Sequence, residues 1–146
     1  MDVIGDSLST GYTTPGVPWT ANAQQLFDAR GQTVQIVNAA SNGAGYVALG
    51  ENDAVFLDQV DQIVTARSQV VLVFGSDNDL GQPGITPAIT TTLNRIKSLA
   101  PNAQLIVVGP PAPPADTPAQ LTGIRDALRA ATRHLRRSAV TGLVPG

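Results

Sequence analysis

The sequence predicts an α/β domain of three layers, helices on both faces of a five-stranded parallel sheet. Three observations carry that expectation. Short apolar, β-branched runs alternate with stretches of helical apolar spacing through all 146 residues, in the order βαβαβαβαβ. The run Val70-Val71-Leu72-Val73-Phe74 is apolar at every position, as in a parallel strand covered by helices on both faces. Polar loops follow three of the runs, at residues 5–9, 38–46 and 75–79, and so gather at one edge of the sheet. Open parallel sheets bind ligands at that edge, outside the carboxyl ends of their strands.

Taken in order, the first strand is the apolar start of the chain, stopping at Gly5, where a glycine allows a sharp turn. Asp6, Ser7, Leu8 and Ser9 suit a turn opening into a helix. Gly11 to Pro18 is a loop broken by Pro15, Gly16 and Pro18. Trp19, Ala23, Leu26, Phe27 and Arg30 share helical spacing, with Gly31 placed to cap the end. Thr33 to Val37 is the second strand, and Asn38 to Tyr46 the loop after it. Residues 47–54 fit no single element; Phe56, Val60, Ile63 and Val64 then mark a helix expected to end near Arg67.

After the third strand at 70–74, Gly81, Pro83, Gly84 and Pro87 punctuate a loop. Ile85, Ile89, Leu93, Ile96 and Ala100 line the next helix, which Pro101 stops. Leu105 to Val108 is the fourth strand, followed by the stiff, donor-poor Pro110-Pro-Ala-Pro-Pro114 as one wall of a cleft. Thr117 is placed as an N-cap and Pro118 as the first residue of a last helix with Leu121, Ile124, Leu128, Ala131 and Leu135 on its apolar face. Ala139 to Val144 is the expected fifth strand. There is no internal repeat and no linker, so residues 1–146 form one domain. Its first strand begins almost at Met1 and its last stops at the C-terminus, so truncation at one or both ends is expected.

Composition narrows the function classes. Hydrophobic residues at 42% and charged residues at 14% suit a globular domain, and the formal charge of -2 gives no general attraction for nucleic acid or an anionic membrane. No cysteine is present, which excludes disulfides and thiolate metal sites. No stretch approaches the roughly 18 apolar residues of a membrane span, and no basic-then-apolar leader opens the chain. Eight arginines against the single Lys97, with abundant Ala, Gly, Pro and Thr, hint at a GC-rich bacterial genome.

Each candidate site residue has a plainer reading beside its functional one. Gly5-Asp6-Ser7 alone is an ordinary turn, and Asp6 reads as an anchor of that turn or an N-cap acid. Asp77 and Asp79 beside Asn78 lack the longer acidic spacing of a calcium loop, so no metal is expected. Asn38 and Asn42 suit the organisation of their own turn. Tyr12, Trp19 and Tyr46 either line a pocket or simply pack. Arginines 125, 129, 133, 136 and 137 recur at helical steps as one solvated face. A nucleotide-binding α/β domain fits the element count, but the first loop carries neither Gly-x-Gly-x-x-Gly nor a phosphate loop.

Gly5-Asp6-Ser7-Leu8, Asn38 with Gly43 five residues on, and Gly75-Ser-Asp-Asn78-Asp79 together resemble three blocks of the GDSL, or SGNH, hydrolases. The third block is usually Gly-x-Asn-Asp and here holds one additional residue. The resemblance covers nearly the whole chain and implies the flavodoxin-like SGNH hydrolase fold. It implies a serine ester hydrolase, of esterase, lipase or carbohydrate deacetylase type, working through an acyl-enzyme without cofactor or metal. Ser7 would be the nucleophile. The Ser7 and Gly43 backbone N–H groups and the Asn78 carboxamide would form the oxyanion hole. Asp6, Tyr46 and Asp79 are the neighbouring candidates for substrate contact. The partner implied is a small-molecule ester, an acylated sugar or lipid, and bacterial relatives with the pattern are often exported.

One block is missing. A serine hydroxyl needs a general base, which the family takes from Asp-x-x-His after the last strand. The single histidine here, His134, has Ala131 three residues before it and lies in Arg133-His134-Leu135-Arg136-Arg137, the basic tail of an amphipathic helix. Two readings follow: a hydrolase whose base comes from residues beyond Gly146 or another chain, or an inactive relative that binds a ligand in the same cleft.

Overall fold

The structure is a computed structural model that describes residues 1–12, 17–112 and 118–141. Strand β1 (Asp2–Gly5) leads directly into the one-turn helix α1 (Ser7–Thr10), and α2 (Trp19–Ala29) follows. Strand β2 (Val37–Asn38) is next, then a 3₁₀ turn at Glu51–Asp53 and α3 (Phe56–Ile63). Strand β3 (Val70–Phe74) is followed by a 3₁₀ turn at Asp77–Asp79 and α4 (Ile85–Leu99), and β4 (Gln104–Val108) by α5 (Ala119–Thr141). The strands form one parallel sheet in the order β2-β1-β3-β4. No described helix is long and apolar enough to cross a membrane.

The core lies on one face of this sheet. Register sets Ile4 of β1 beside Val73 of β3, and both are fully buried with Val71. Phe56 and Val60 of α3, Ile89, Leu93 and Ile96 of α4, and Leu121, Ile124 and Leu128 of α5 close over them. These are the apolar stripes that helical periodicity predicts. The other face is less fully covered: Val3 is buried, but Leu72, Phe74 and Ile106 are half-buried and Val108 is exposed. Strand β3 is therefore sealed on one side and only partly on the other.

Four expectations need correction. The sheet has four strands among the described residues, because residues 139–141, read as the start of a fifth strand, extend α5. Alanine, leucine and arginine favour helix strongly enough to carry it through Val140 and Thr141. The rest of that expected strand, with Thr117 and the loop residues 13–16 and 113–114, lies outside the described residues.

Strand β2 is shorter and later than the expected Thr33–Val37. Gln24 of α2 donates Nε2 to Val34 O (2.7 Å) and accepts the Ile36 N–H at Oε1 (2.9 Å), so a side-chain amide takes the place of a strand there. Helix α3 stops at Ile63, not near Arg67, because Val64 turns extended and buries its own side chain. Finally, Pro118 precedes the first helical residue of α5, and its carbonyl accepts the N–H groups of Leu121 and Thr122.

Candidate active site

At the end of β1 the chain turns on Asp6, whose Oδ1 accepts the Leu8 N–H at 2.9 Å and caps α1. Ser7 is the first residue of that helix and half-buried, and at that position its N–H has no acceptor within the helix. Glycine is needed just before it: a Cβ on Gly5 would lie 2.9 Å from the Ser9 hydroxyl oxygen. Ser9 is itself fixed, accepting the Trp19 Nε1–H at its hydroxyl (3.0 Å) and the Asn38 Nδ2–H at its carbonyl (2.8 Å). Asn38 also accepts the Ala40 N–H, organising its own turn as the sequence suggests.

The loop after β2 comes to the same edge. Its Ser41 N–H donates to the Gly5 carbonyl at 3.1 Å, and Gly43, exposed and left-handed at φ +77°, follows. The loop is then gathered around one buried carboxyl group. Asp79 accepts the N–H groups of Tyr46, Val47 and Ala48 at 2.8, 2.9 and 2.9 Å. Gly45 makes room for it, since a Cβ there would fall within 2.6 Å of Asp79 Cγ.

The loop after β3 closes on the second. Ser76 donates its hydroxyl to the Ala44 carbonyl (2.9 Å) and accepts the Asn78 N–H (3.1 Å). Asn78 Nδ2 donates to the same Ala44 carbonyl at 3.0 Å. A carboxamide nitrogen carries two hydrogens, so one remains for another acceptor. Gly75 adopts φ +131° against Asp6, where a Cβ would meet Asp6 Oδ2 at 2.7 Å. The three sequence blocks thus touch one another: Ser41 on Gly5, Asn78 on Ala44, Gly75 on Asp6.

The remaining candidates face inward. Asp6 and Asp79 are 0% exposed and Tyr46 is 2% exposed, so beneath the loops they act as supports. Burial pushes the Asp6 carboxyl above its ordinary range, opposed by the Leu8 N–H and the nearby Ser76 hydroxyl; that hydroxyl donates to Ala44, so Asp6 Oδ2 has no hydrogen-bond partner among the described residues. Tyr46 meets Phe56 edge-on at 5.0 Å between ring centroids. Burial, with the neighbouring Asp79, pushes its phenol upward, and the buried hydroxyl has no partner among the described residues. His134 is exposed on α5, in a groove with Thr90 and Asn94 of α4, apart from the three loops.

Two supports escape sequence reading, Ser76 and Gln59. Gln59 is 3% exposed and pairs with the Gly5 peptide through both ends of its carboxamide. The signal was present: Gln59 sits among Phe56, Val60 and Ile63 on the apolar face of α3, a polar residue at a core position.

Residues 3–145 match the GDSL-like Lipase/Acylhydrolase family. A GDSL lipase of Mycobacterium tuberculosis is 37% identical over 139 residues, which are 90% of this chain and 60% of that protein. The chain therefore spans about 60% of that relative's length. A solved crystal structure superposes with a TM-score of 0.72 at 19% identity, over 92% of this chain and 73% of the other, a likeness of fold. On the family match and the lipase relative together, the chain belongs to the GDSL-like lipase/acylhydrolase family.

Proposed function

We propose that this domain is a serine ester hydrolase acting through an acyl-enzyme on Ser7. The observation that carries the reading is the pair of hydrogen bonds that Ser76 and Asn78 donate to the Ala44 carbonyl, which fixes the third loop against the residue following Gly43. Ser7 Oγ attacks the ester carbonyl carbon, and charge develops on the carbonyl oxygen. The N–H groups of Ser7 and Gly43 and the free hydrogen of Asn78 Nδ2 receive it. The bond to the leaving alcohol breaks, the alcohol takes the serine proton by way of a general base, and water then releases the acid from Ser7. Donors already held by other bonds need no reorganisation as the charge appears. His134 lies apart from these loops, so the base in this reading is another group.

A cavity of about 540 Å³ lies beside the second loop, lined among others by Thr10, Ser41, Asn42, Glu51, Asp58 and Gln62; Ser7, Gly43 and Asn78 do not line it, and it borders the serine turn only through Thr10, at the other end of α1. Its hydroxyls, amides and carboxyls favour a polyhydroxylated alcohol, an acylated sugar, over a lipid. The test is turnover of p-nitrophenyl acetate and of an acetylated sugar, compared with a long-chain p-nitrophenyl ester and with Ser7→Ala. Short and sugar acetates are expected to be cleaved, and Ser7→Ala to be inactive. Asn78→Ala is expected to lower turnover by about 10²–10³-fold. The second reading, a silent binding module, draws on the position of His134 on α5; it predicts equal rates for the parent and Ser7→Ala, together with saturable binding of the sugar ester.

A further inference from the structure

We infer that Gln59, on α3, is a positioning residue that sets the nucleophile turn and the oxyanion loop in register with each other. Between β1 and β2 the backbone bonds form a ladder. Val37 donates to the Met1 carbonyl, Ala39 to the Val3 carbonyl and Ser41 to the Gly5 carbonyl, the every-second-residue pattern of parallel strands. Strand β2 itself ends at Asn38, so beside Gly5 the partner has become a loop. The Gly5 peptide is nonetheless fully paired. Its N–H donates to Gln59 Oε1 at 2.9 Å, and its carbonyl accepts Gln59 Nε2–H at 3.0 Å beside the Ser41 N–H at 3.1 Å.

The loop still supplies a donor, the Ser41 N–H, but no backbone acceptor for the Gly5 N–H, so Gln59 Oε1 takes that acceptor's place while its Nε2 shares the Gly5 carbonyl with Ser41. The junction is buried, where an unpaired N–H or C=O costs most. It joins the residue two before Ser7, the residue two before Gly43, and a helix anchored in the core by Phe56 and Val60. Displacement of this one amide moves the hydroxyl relative to the Gly43 N–H. The kinetic consequence rests on the hydrolase reading above; the structural consequence does not.

The experiment uses Gln59→Leu and Gln59→Glu in the full chain. In Gln59→Leu, folded by circular dichroism and thermal melting, the Gly5 amide is expected to lose hydrogen-exchange protection and the Ser7 and Gly43 amide resonances to shift. With p-nitrophenyl acetate, kcat is expected to fall about 10²-fold with KM unchanged, the size expected for a small misplacement of reacting groups. Gln59→Glu supplies a second test if the leucine variant does not fold. A buried carboxyl group at this position protonates more readily than an exposed one, and when protonated it restores both hydrogen bonds. The ratio of Gln59→Glu to parent activity is therefore expected to rise as pH falls; the carboxyl groups of Asp6, Glu51 and Asp58 near the junction are present in both proteins, and negative charge there adds to burial in favouring the neutral form of the introduced acid. A folded Gln59→Leu with unmoved Ser7 and Gly43 amides overturns the inference, as does a pH-independent ratio for Gln59→Glu. Equal turnover by the parent and Ser7→Ala would remove the hydrolase reading alone, and the amide measurements would still decide the part played by Gln59.

Discussion

The two flanks of the sheet are held in different ways. On the β4 side, β3 and β4 pair along five residues and a continuous apolar core from α4 and α5 covers them. On the β2 side, pairing lasts two residues, and both Val37 and Asn38 are exposed. What that side has instead is buried polar side chains bonded to loop backbone: Gln59 on Gly5, Ser76 on Ala44, and Asp79 on residues 46–48. Apolar burial is non-directional and proportional to area, whereas a hydrogen bond fixes one atom relative to another. The candidate site is on the flank where atoms are fixed one by one.

The strongest way to break this contrast is to remove one support from each flank. Asp79→Ala leaves three N–H groups without their acceptor, two of them buried, and is expected to cost about 4 kcal/mol, at about 1–3 kcal/mol for each buried orphan and less for the half-buried one. Leu93→Ala, in the apolar core, is expected to cost about 3 kcal/mol through lost transfer energy and a cavity. Urea unfolding gives both numbers. The two losses are similar, but turnover per folded molecule should collapse only in Asp79→Ala, because only there is the loop bearing Gly43 released. Full specific activity in a folded Asp79→Ala protein would show that the polar flank is no more than an alternative kind of core.

The same contrast explains what could be read in the sequence. Strands β1, β3 and β4 and helix α4 were legible because their apolar residues repeat at the period of the element they form. Strand β2 was misplaced because its neighbour at residues 34–36 is the side chain of Gln24, and pairing with a side chain leaves no periodic trace. Residues 139–141, at the start of the expected fifth strand, belong to α5: Val140 and Thr141 favour strand locally, while the helix already running through Leu121, Ile124 and Leu128 carries them along. In the candidate site, the blocks that hold Ser7, Gly43 and Asn78 are legible by their spacing, and the loops that carry them meet at one edge of the sheet. The inward orientation of Asp6, Tyr46 and Asp79 is not legible, since a loop's polar side chain can face water or its own backbone equally well in sequence.

A smaller effect sharpens the contrast between satisfied and unsatisfied polar groups. Asp6 caps α1 with Oδ1, but its Oδ2 is buried without a partner among the described residues and its carboxyl is pushed above the ordinary 3.8, chiefly by burial. The folded state therefore holds the proton more tightly than the unfolded chain. The stability that this contributes is complete below 3.8 and is lost as pH rises through the folded-state value. Asp6→Asn keeps an acceptor for the Leu8 N–H and cannot ionise. Unfolding free energies measured from about pH 3 to about pH 7 should show the variant gaining on the parent as pH rises across that window. Parallel curves would mean that the Asp6 charge is compensated at the turn.

The smallest effect expected comes from Tyr46, which stands where the two kinds of support meet. Its backbone N–H belongs to the polar flank, held by Asp79, while its ring belongs to the core, edge-on to Phe56. Only the hydroxyl belongs to neither, being buried and unpartnered among the described residues. Tyr46→Phe leaves the backbone bond and the ring contact in place and removes one stranded polar atom, so stability should rise by up to about 1 kcal/mol. Thermal melting would register this as an upward shift of a few degrees. Ester turnover should not change, because the loop is positioned through the amide of residue 46 and not through its phenol. A fall in stability would mean instead that the hydroxyl has a hydrogen-bonding partner in solution, and Tyr46 would then join Gln59 and Asp79 among the side chains that hold the loop.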